Sequence, residues 1–282
     1  MDNIILETNQ LTKIYDQTKV VDNINLQIKE GEIFGFLGPN GSGKTTTILM
    51  ILGLTEPTSG EAKVFGYDST REALKVKRVT SYLPENVGFY EDLTALENLK
   101  YIARLNNIPD KKANIKIEEV LELVGLSEVV NLEVSKFSKG MKQRLGMGVV
   151  LIKEPKLAIF DEPTSGIDPK GVEETLELIV KMSKEQNITV LLSSHLLYQV
   201  QKICTQIGII SQGRLIAQGS INKIGQELLE EKKEDLLEVK VSNKLTPSFI
   251  ESVKKIEGVV EVKKKSTDYS LQEIYTKYFR EE

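Results

Sequence analysis

Gly38-Pro39-Asn40-Gly41-Ser42-Gly43-Lys44-Thr45 fits the pattern G-x-x-x-x-G-K-[ST]. A turn of that composition points backbone N–H groups at a phosphate, and its lysine reaches the outer phosphates. The Thr45 hydroxyl is the group such a loop offers to Mg²⁺, and Thr46 follows it as a further nucleotide-binding candidate. With glycine at roughly 7% of residues, a chance match in a chain this long has a probability of about 1 in 100. The flanks fit as well. Glu32 to Leu37 reads as a strand and Thr45 to Leu54 as a helix, giving the strand, loop and helix order that the motif requires. The stretch predicts a site for a nucleoside triphosphate.

The bulk properties narrow what surrounds that site. The 282 residues suit one large domain and a small one, with 40% apolar and 28% charged residues as in ordinary globular chains. A net charge of −4 argues against nucleic acid as a partner, because nucleic-acid binders carry a basic surplus. The single cysteine, Cys204, excludes an internal disulfide, fits a reducing compartment and reads as packing filler. The N-terminal stretch has no basic segment followed by an apolar run, and no window approaches the run of about 18 apolar residues a membrane span needs. A cytoplasmic protein is expected, with any membrane role coming through a partner.

Alternating strand and helix patterns predict an α/β fold around a parallel sheet. Ile24, Leu26 and Ile28 alternate as a strand, Thr58-Ser59-Gly60 reads as a turn, and Glu61 to Phe65 and Val79 to Leu83 read as short strands. Thr94 and Glu97 form a capping box before a helix with Leu96, Leu99, Ile102 and Ala103 on one face. Ile115 to Val124 reads as a second helix closed by Gly125, so residues 86–152 form a mainly helical insertion. Lys156 to Phe160, Thr189 to Ser193 and Gln206 to Ile210 return as strands, with a helix over Gly171 to Lys184. The nucleotide-binding domain is expected over 1–222, followed by a solvated helix or linker over 223–235. A small α+β domain over 236–282 follows, with a strand at Leu237 to Val241, a helix at Ser248 to Ile256, a strand at Val259 to Val262 and a final amphipathic helix at Leu271, Ile274, Tyr275, Tyr278 and Phe279.

Asp161 and Glu162 end a buried strand, at the sheet edge where open α/β folds bind ligands. Phosphoryl chemistry uses one carboxylate to help hold Mg²⁺ and another to orient water, roles that suit Asp161 and Glu162 in that order. Ser138, with Gly140 close behind it at a helix start, is a phosphate-binding arrangement, though alone it also reads as a cap.

Taken together, the phosphate loop, the Ser-x-Gly helix start 95 residues after Gly43 and the Asp-Glu pair 23 residues after Ser138 closely resemble the ATPase subunit of ABC transporters. The resemblance covers residues 3–220. It implies a P-loop NTPase core with a parallel-sheet centre, an antiparallel β part and the helical insertion. Tyr15 then matches the aromatic that stacks on adenine, and Glu85 occupies the metal-sensing Q-loop position, where most members carry Gln. Ser138 and Gly140 match the signature that contacts γ-phosphate, while Lys139 and Met141 depart from its common Gly and Gln. Asp168, in Ser165 to Pro169, matches the D-loop that links two active sites. His195, the only histidine, stands 33 residues after Glu162 and matches the switch histidine. ATP and Mg²⁺ are the implied ligands. Tyr82 to Val87 and the signature resemble the branch paired with ABC-2-type membrane subunits. Within it, Glu85 to Tyr90 and Ser270 to Tyr275 look most like the ATPase of the nitrous-oxide-reductase copper-site maturation system.

The resemblance implies a motor subunit that dimerises on ATP, with Lys44, Glu162 and His195 catalytic, and drives a separate permease from the cytoplasmic face. A chromosome or DNA-repair ATPase would insert long coiled coils before Ser138, and none is present in the sequence. A ribosome-associated relative would carry two such units and a basic linker.

Overall fold

The computed structural model describes residues 3–230 and 251–253. The chain divides into two compact units, residues 1–221 and 222–282. In the first, β1 (Ile4–Tyr15) is flanked on one side by β2 (Thr18–Ile24) and β3 (Gln27–Lys29), both antiparallel to it. The chain then crosses into β4 (Ile33–Leu37), the phosphate loop and α1 (Lys44–Ile51). It returns to the antiparallel sheet through β5 (Ser59–Val64) and β6 (Tyr67–Asp68). After α2 (Ala73–Val79) and β7 (Thr80–Leu83) come α3 (Ala95–Leu105), α4 (Asp110–Leu123) and α5 (Lys139–Ile152). The last stretch is β8 (Leu157–Asp161), α6 (Pro169–Gln186), β9 (Thr189–Ser194), α7 (Leu197–Ile203), β10 (Gln206–Ser211), β11 (Arg214–Gly219) and α8 (Ile221–Glu230).

The second sheet runs β11-β10-β4-β9-β8-β7, and every pairing in it is parallel except β10 with β11. Its strands β4, β8 and β9 are buried at every residue, which is why they read as continuous apolar runs rather than alternating ones. The period of two survives in what each side chain touches. Phe34, Phe36, Ile159 and Leu191 join a core with Leu6, Ile28 and Ile48, between the two sheets and α1. Ala158, Phe160, Val190 and Leu192 point the other way, onto Leu99, Ile117, Leu145 and Ile179 of the helical side. Register aligns Leu37 with Ser194 and Asp161 with Ser193, so the ends of β4, β9 and β8 come level at one edge. The phosphate loop leaves from that edge.

Three expectations change against the structure. The Thr58 to Gly60 turn is the beginning of β5, because Gly60 sits at φ +79 in a bulge against β1 where a Cβ would lie 2.2 Å from the Gln10 carbonyl oxygen. Gly60→Ala is expected to destabilise the protein by about 2–4 kcal/mol, measured as a shift in denaturation midpoint. The helix expected from Ile115 starts at Asp110 and buries Ala113, Ile117, Val120 and Leu121, leaving Ile115 exposed on the other face. The strand expected through Ile24 to Ile28 divides into β2 and β3, with Leu26 between them donating its N–H to Thr8 Oγ1 at 2.8 Å. The elements β1, α2, β6, α7 and β11 have no counterpart among the expected elements.

Other local signals form as read. Thr94 accepts from the Glu97 N–H while Glu97 accepts from Thr94, closing the capping box at the head of α3. The run after residue 220 begins as helix α8, and residues 251–253 are helical within the expected Ser248 to Ile256 helix. The strands expected at Leu237 to Val241 and Val259 to Val262, and the final helix at Leu271 to Phe279, lie outside the described residues. Among the described residues no helix is long and apolar enough to cross a membrane.

Candidate functional site

The loop 38–45 joins the buried end of β4 to the first turn of α1. Gly43 makes that turn possible. It lies at φ +103, and a Cβ there would sit 2.6 Å from the Val20 carbonyl oxygen. Gly38 is equally confined, with a Cβ placed 2.3 Å from the Ile210 carbonyl oxygen. Pro39 and Asn40 form the more open side of the loop and Gly41 is at φ +79. Thr46 is half-buried one position past Thr45. Buried Thr47 hydrogen-bonds back to the Gly43 carbonyl at 2.8 Å, fixing loop to helix.

Lys44 is 6% exposed, and its ammonium donates to the carbonyls of Gly38 at 2.8 Å and Pro39 at 3.1 Å. The same Nζ lies 3.3 Å from Glu162 Oε1. Thr45 Oγ1 donates to Asp161 Oδ2 at 2.8 Å. Glu162 Oε2 is 2.8 Å from His195 Nδ1. Lys44, Thr45, Asp161, Glu162 and His195, spread over three strand ends in the sequence, therefore converge on one edge of the sheet.

The structure adds partners that the sequence reading missed. Ser193, fully buried at the end of β9, donates to Asp161 Oδ1 and accepts the Glu162 N–H at 2.9 Å through its hydroxyl. Glu162 takes φ +48, a left-handed conformation costly for a residue with a Cβ, which turns its carboxylate off the strand toward Lys44 and His195. Tyr82, on the edge strand β7, donates to Asp161 Oδ2 at 3.4 Å. Burial, with the neighbouring Asp161 carboxylate, pushes its phenol well above the usual value, so it remains a donor. The alternation of β9, which places a hydroxyl level with Asp161, was the available signal for Ser193.

Other expected site residues stand apart from this cluster. Tyr15 ends β1, 45% exposed, with the Lys13 ammonium over its ring 4.9 Å from the centre. Ser138 caps α5, accepting the Met141 N–H at 3.2 Å. A Cβ on Gly140 would meet Ile167, so this helix start packs beside the loop 165–168. Asp168 caps α6 through the Gly171 N–H at 3.4 Å. Glu85, the further metal candidate, accepts from Ser165 Oγ at 3.0 Å, joining the segment after β7 to that same loop. Cys204 packs against the helical-side core, and burial pushes its thiol above the usual range, in keeping with filler.

The cluster suits a magnesium–triphosphate group. Ser42 Oγ is buried beside Lys44 with no hydrogen-bond partner among the described residues, an orphan hydroxyl within the loop. Thr45 and Asp161 would supply the few hard oxygens that Mg²⁺ takes from protein when phosphates and water complete its shell.

Residues 21–165 match the family model described as ABC transporter. The bacitracin transport ATP-binding protein BcrA of Bacillus licheniformis is 46% identical over 212 residues, covering 75% of this chain and 68% of that one. The linearmycin resistance ATP-binding protein LnrL of Bacillus subtilis is 41% identical over 216 residues, covering 77% of this chain and 69% of its own. Among solved structures, cbiO1 of Clostridium perfringens, part of the ABC transporter complex cbiONQ, superposes with a TM-score of 0.73 at 27% identity, covering 82% of this chain and 94% of that chain. The chain belongs to the ABC transporter ATP-binding family, whose members are ATPases coupled to transport.

Proposed function

We propose that this chain is the ATP-hydrolysing subunit of an exporter, pairing with a second copy of itself on ATP and driving an ABC-2-type membrane permease. The observation that carries the reading is the convergence of Lys44, Thr45, Asp161 and Glu162 with His195 at one sheet edge. Export is favoured because two of its relatives are named for bacitracin transport and linearmycin resistance. The copper-maturation resemblance rests on Glu85 to Tyr90 and Ser270 to Tyr275 alone, and the second of these lies outside the described residues.

In this reading the loop N–H groups and the Lys44 ammonium hold the β- and γ-phosphates, and Tyr15 offers its ring to the adenine. Mg²⁺, held by Thr45 and Asp161, would neutralise phosphate charge when bound. Glu162 orients a water in line with the γ-phosphorus and accepts its proton, while His195 and Lys44 stabilise charge on the phosphoryl oxygens. Ser138 and Gly140 of one copy face the phosphates of the other, with Asp168 between the two sites. Asp161→Asn is expected to raise the Mg²⁺ concentration for half-maximal hydrolysis by about tenfold, read from a magnesium titration.

The permease would meet the helical side near Glu85 to Asp92. Tyr90 and Tyr101 stand there 51% and 40% exposed, packed edge to face with ring centres 5.0 Å apart. Tyr90→Ala with Tyr101→Ala is expected to abolish co-purification of an integral membrane subunit from detergent-solubilised membranes while leaving ATP binding intact. Recovery of the unaltered chain with polyribosomes and not with membranes would contradict the proposal. The reading also keeps the protein peripheral on the cytoplasmic face, with no nucleic-acid partner and a small α+β domain over 236–282.

A further inference from the structure

Glu162 and His195 sit on separate loops, one after β8 and one after β9, and the strand pairing beneath them ends at Asp161 and Ser193. Past the last strand pair the Glu162 N–H is tied to the Ser193 carbonyl and hydroxyl, which anchors Glu162 to β9 but leaves the rest of its loop to be held against the turn that carries His195. Gln199, in α7, is in place to do this. Its side chain is 1% exposed, an expensive position for an amide unless its hydrogen bonds are made. Gln199 Oε1 accepts from Thr164 Oγ1 at 2.5 Å and from Ser194 Oγ at 3.5 Å, and Nε2 donates to the Tyr198 hydroxyl at 3.2 Å. Thr164 lies two residues past Glu162 and is itself 3% exposed. Ser194, fully buried, also accepts the Leu196 N–H at 3.0 Å, so its hydroxyl shapes the turn that carries His195.

We infer that Gln199 is a positioning residue for hydrolysis, fixing the Glu162 loop to the His195 loop through Thr164 and Ser194. Both bonds end on a single carbonyl oxygen, so a shift of either loop breaks a buried hydrogen bond with no water to replace it. A movement of about 1 Å at Glu162 would take the carboxylate off the line of attack without disturbing the loop that binds the phosphates. The inference rests on Glu162 acting as the base.

The test compares Gln199→Leu, Gln199→Glu, Thr164→Val and the double variant Gln199→Leu/Thr164→Val in the full chain. Turnover, KM and the equilibrium affinity for a non-hydrolysable ATP analogue are measured for each, with Glu162→Gln alongside. Gln199→Leu and Thr164→Val are each expected to lower kcat about tenfold with analogue affinity changed by less than about threefold. The double variant is expected to be no worse than Gln199→Leu alone, because that substitution already removes the acceptor of the Thr164 bond. Gln199→Glu retains the acceptor for the Thr164 and Ser194 hydroxyls and is expected to stay within about threefold of the original kcat. If Gln199→Leu does not fold, Thr164→Val and Gln199→Glu decide the matter. A kcat for Thr164→Val equal to the original, additive losses in the double variant, or a loss confined to analogue affinity would overturn the inference. Full turnover in Glu162→Gln would overturn the base assignment and this inference together. A dead Glu162→Gln beside a fully active Thr164→Val would overturn this inference alone.

Discussion

Glu162→Gln is expected to lower ATP turnover by about 10³-fold while ATP binding is retained. The substitution keeps the length and shape of the side chain. The backbone turn at φ +48 is held by Ser193, whose hydroxyl and carbonyl both accept the residue 162 N–H, so the amide replaces the carboxylate in place. The amide keeps one oxygen to face Lys44, and its NH2 group takes the place of the oxygen beside His195 Nδ1. What the amide loses is basicity, since it cannot take a proton from water at neutral pH. The loss belongs in kcat, and the measurement is phosphate release under saturating Mg-ATP beside equilibrium nucleotide binding. Turnover at the original rate would remove Glu162 from the role of base.

Lys44→Ala is expected to act on binding as well as on chemistry. One ammonium, 6% exposed, meets two loop carbonyls and the Glu162 carboxylate, so truncation leaves buried acceptors without their donor. It also removes the charge that meets the outer phosphates, worth about 1.5–3 kcal/mol as a charge-assisted hydrogen bond. ATP affinity is expected to fall by about 10- to 100-fold and hydrolysis to become undetectable, with a lowered melting temperature for the free protein. Lys44→Arg is expected to rescue neither, because a planar guanidinium does not fit the enclosed position of a compact ammonium. Fluorescent-nucleotide titration of the three proteins checks this, and unchanged affinity in Lys44→Ala would place the phosphates elsewhere.

What could be read before the structure follows from how each feature is written in the chain. The phosphate loop is contiguous, and its glycines answer to backbone geometry that few other residues tolerate. Leu157 to Asp161 is an uninterrupted apolar run ending in acid, which a strand buried on both faces requires. Arg214 to Gly219 was missed because the strand is partly exposed along its length and sits at a sheet edge, where burial imposes little pattern. Leu197 to Ile203 was missed because only Gln199 and Val200 of that short helix are buried. The contacts that refine the site were hidden for another reason. Tyr82 with Asp161, Glu85 with Ser165, and Thr164 with Gln199 are separated by 79, 80 and 35 residues, and only the fold brings them together. Glu85 shows the limit most clearly. Its position in the chain gave no sign that its carboxylate meets a serine of the 165–168 loop.

In the proposed function, Ser138 and Gly140, whose helix start packs beside Ile167, are supplied to the phosphates by a second copy of the chain. Light scattering on Glu162→Gln, resolved by size exclusion, tests this most directly. With Mg-ATP the account predicts twice the chain mass of 31.6 kDa, and with Mg-ADP a single chain mass. A single chain mass under saturating Mg-ATP, with nucleotide demonstrably bound, would contradict it.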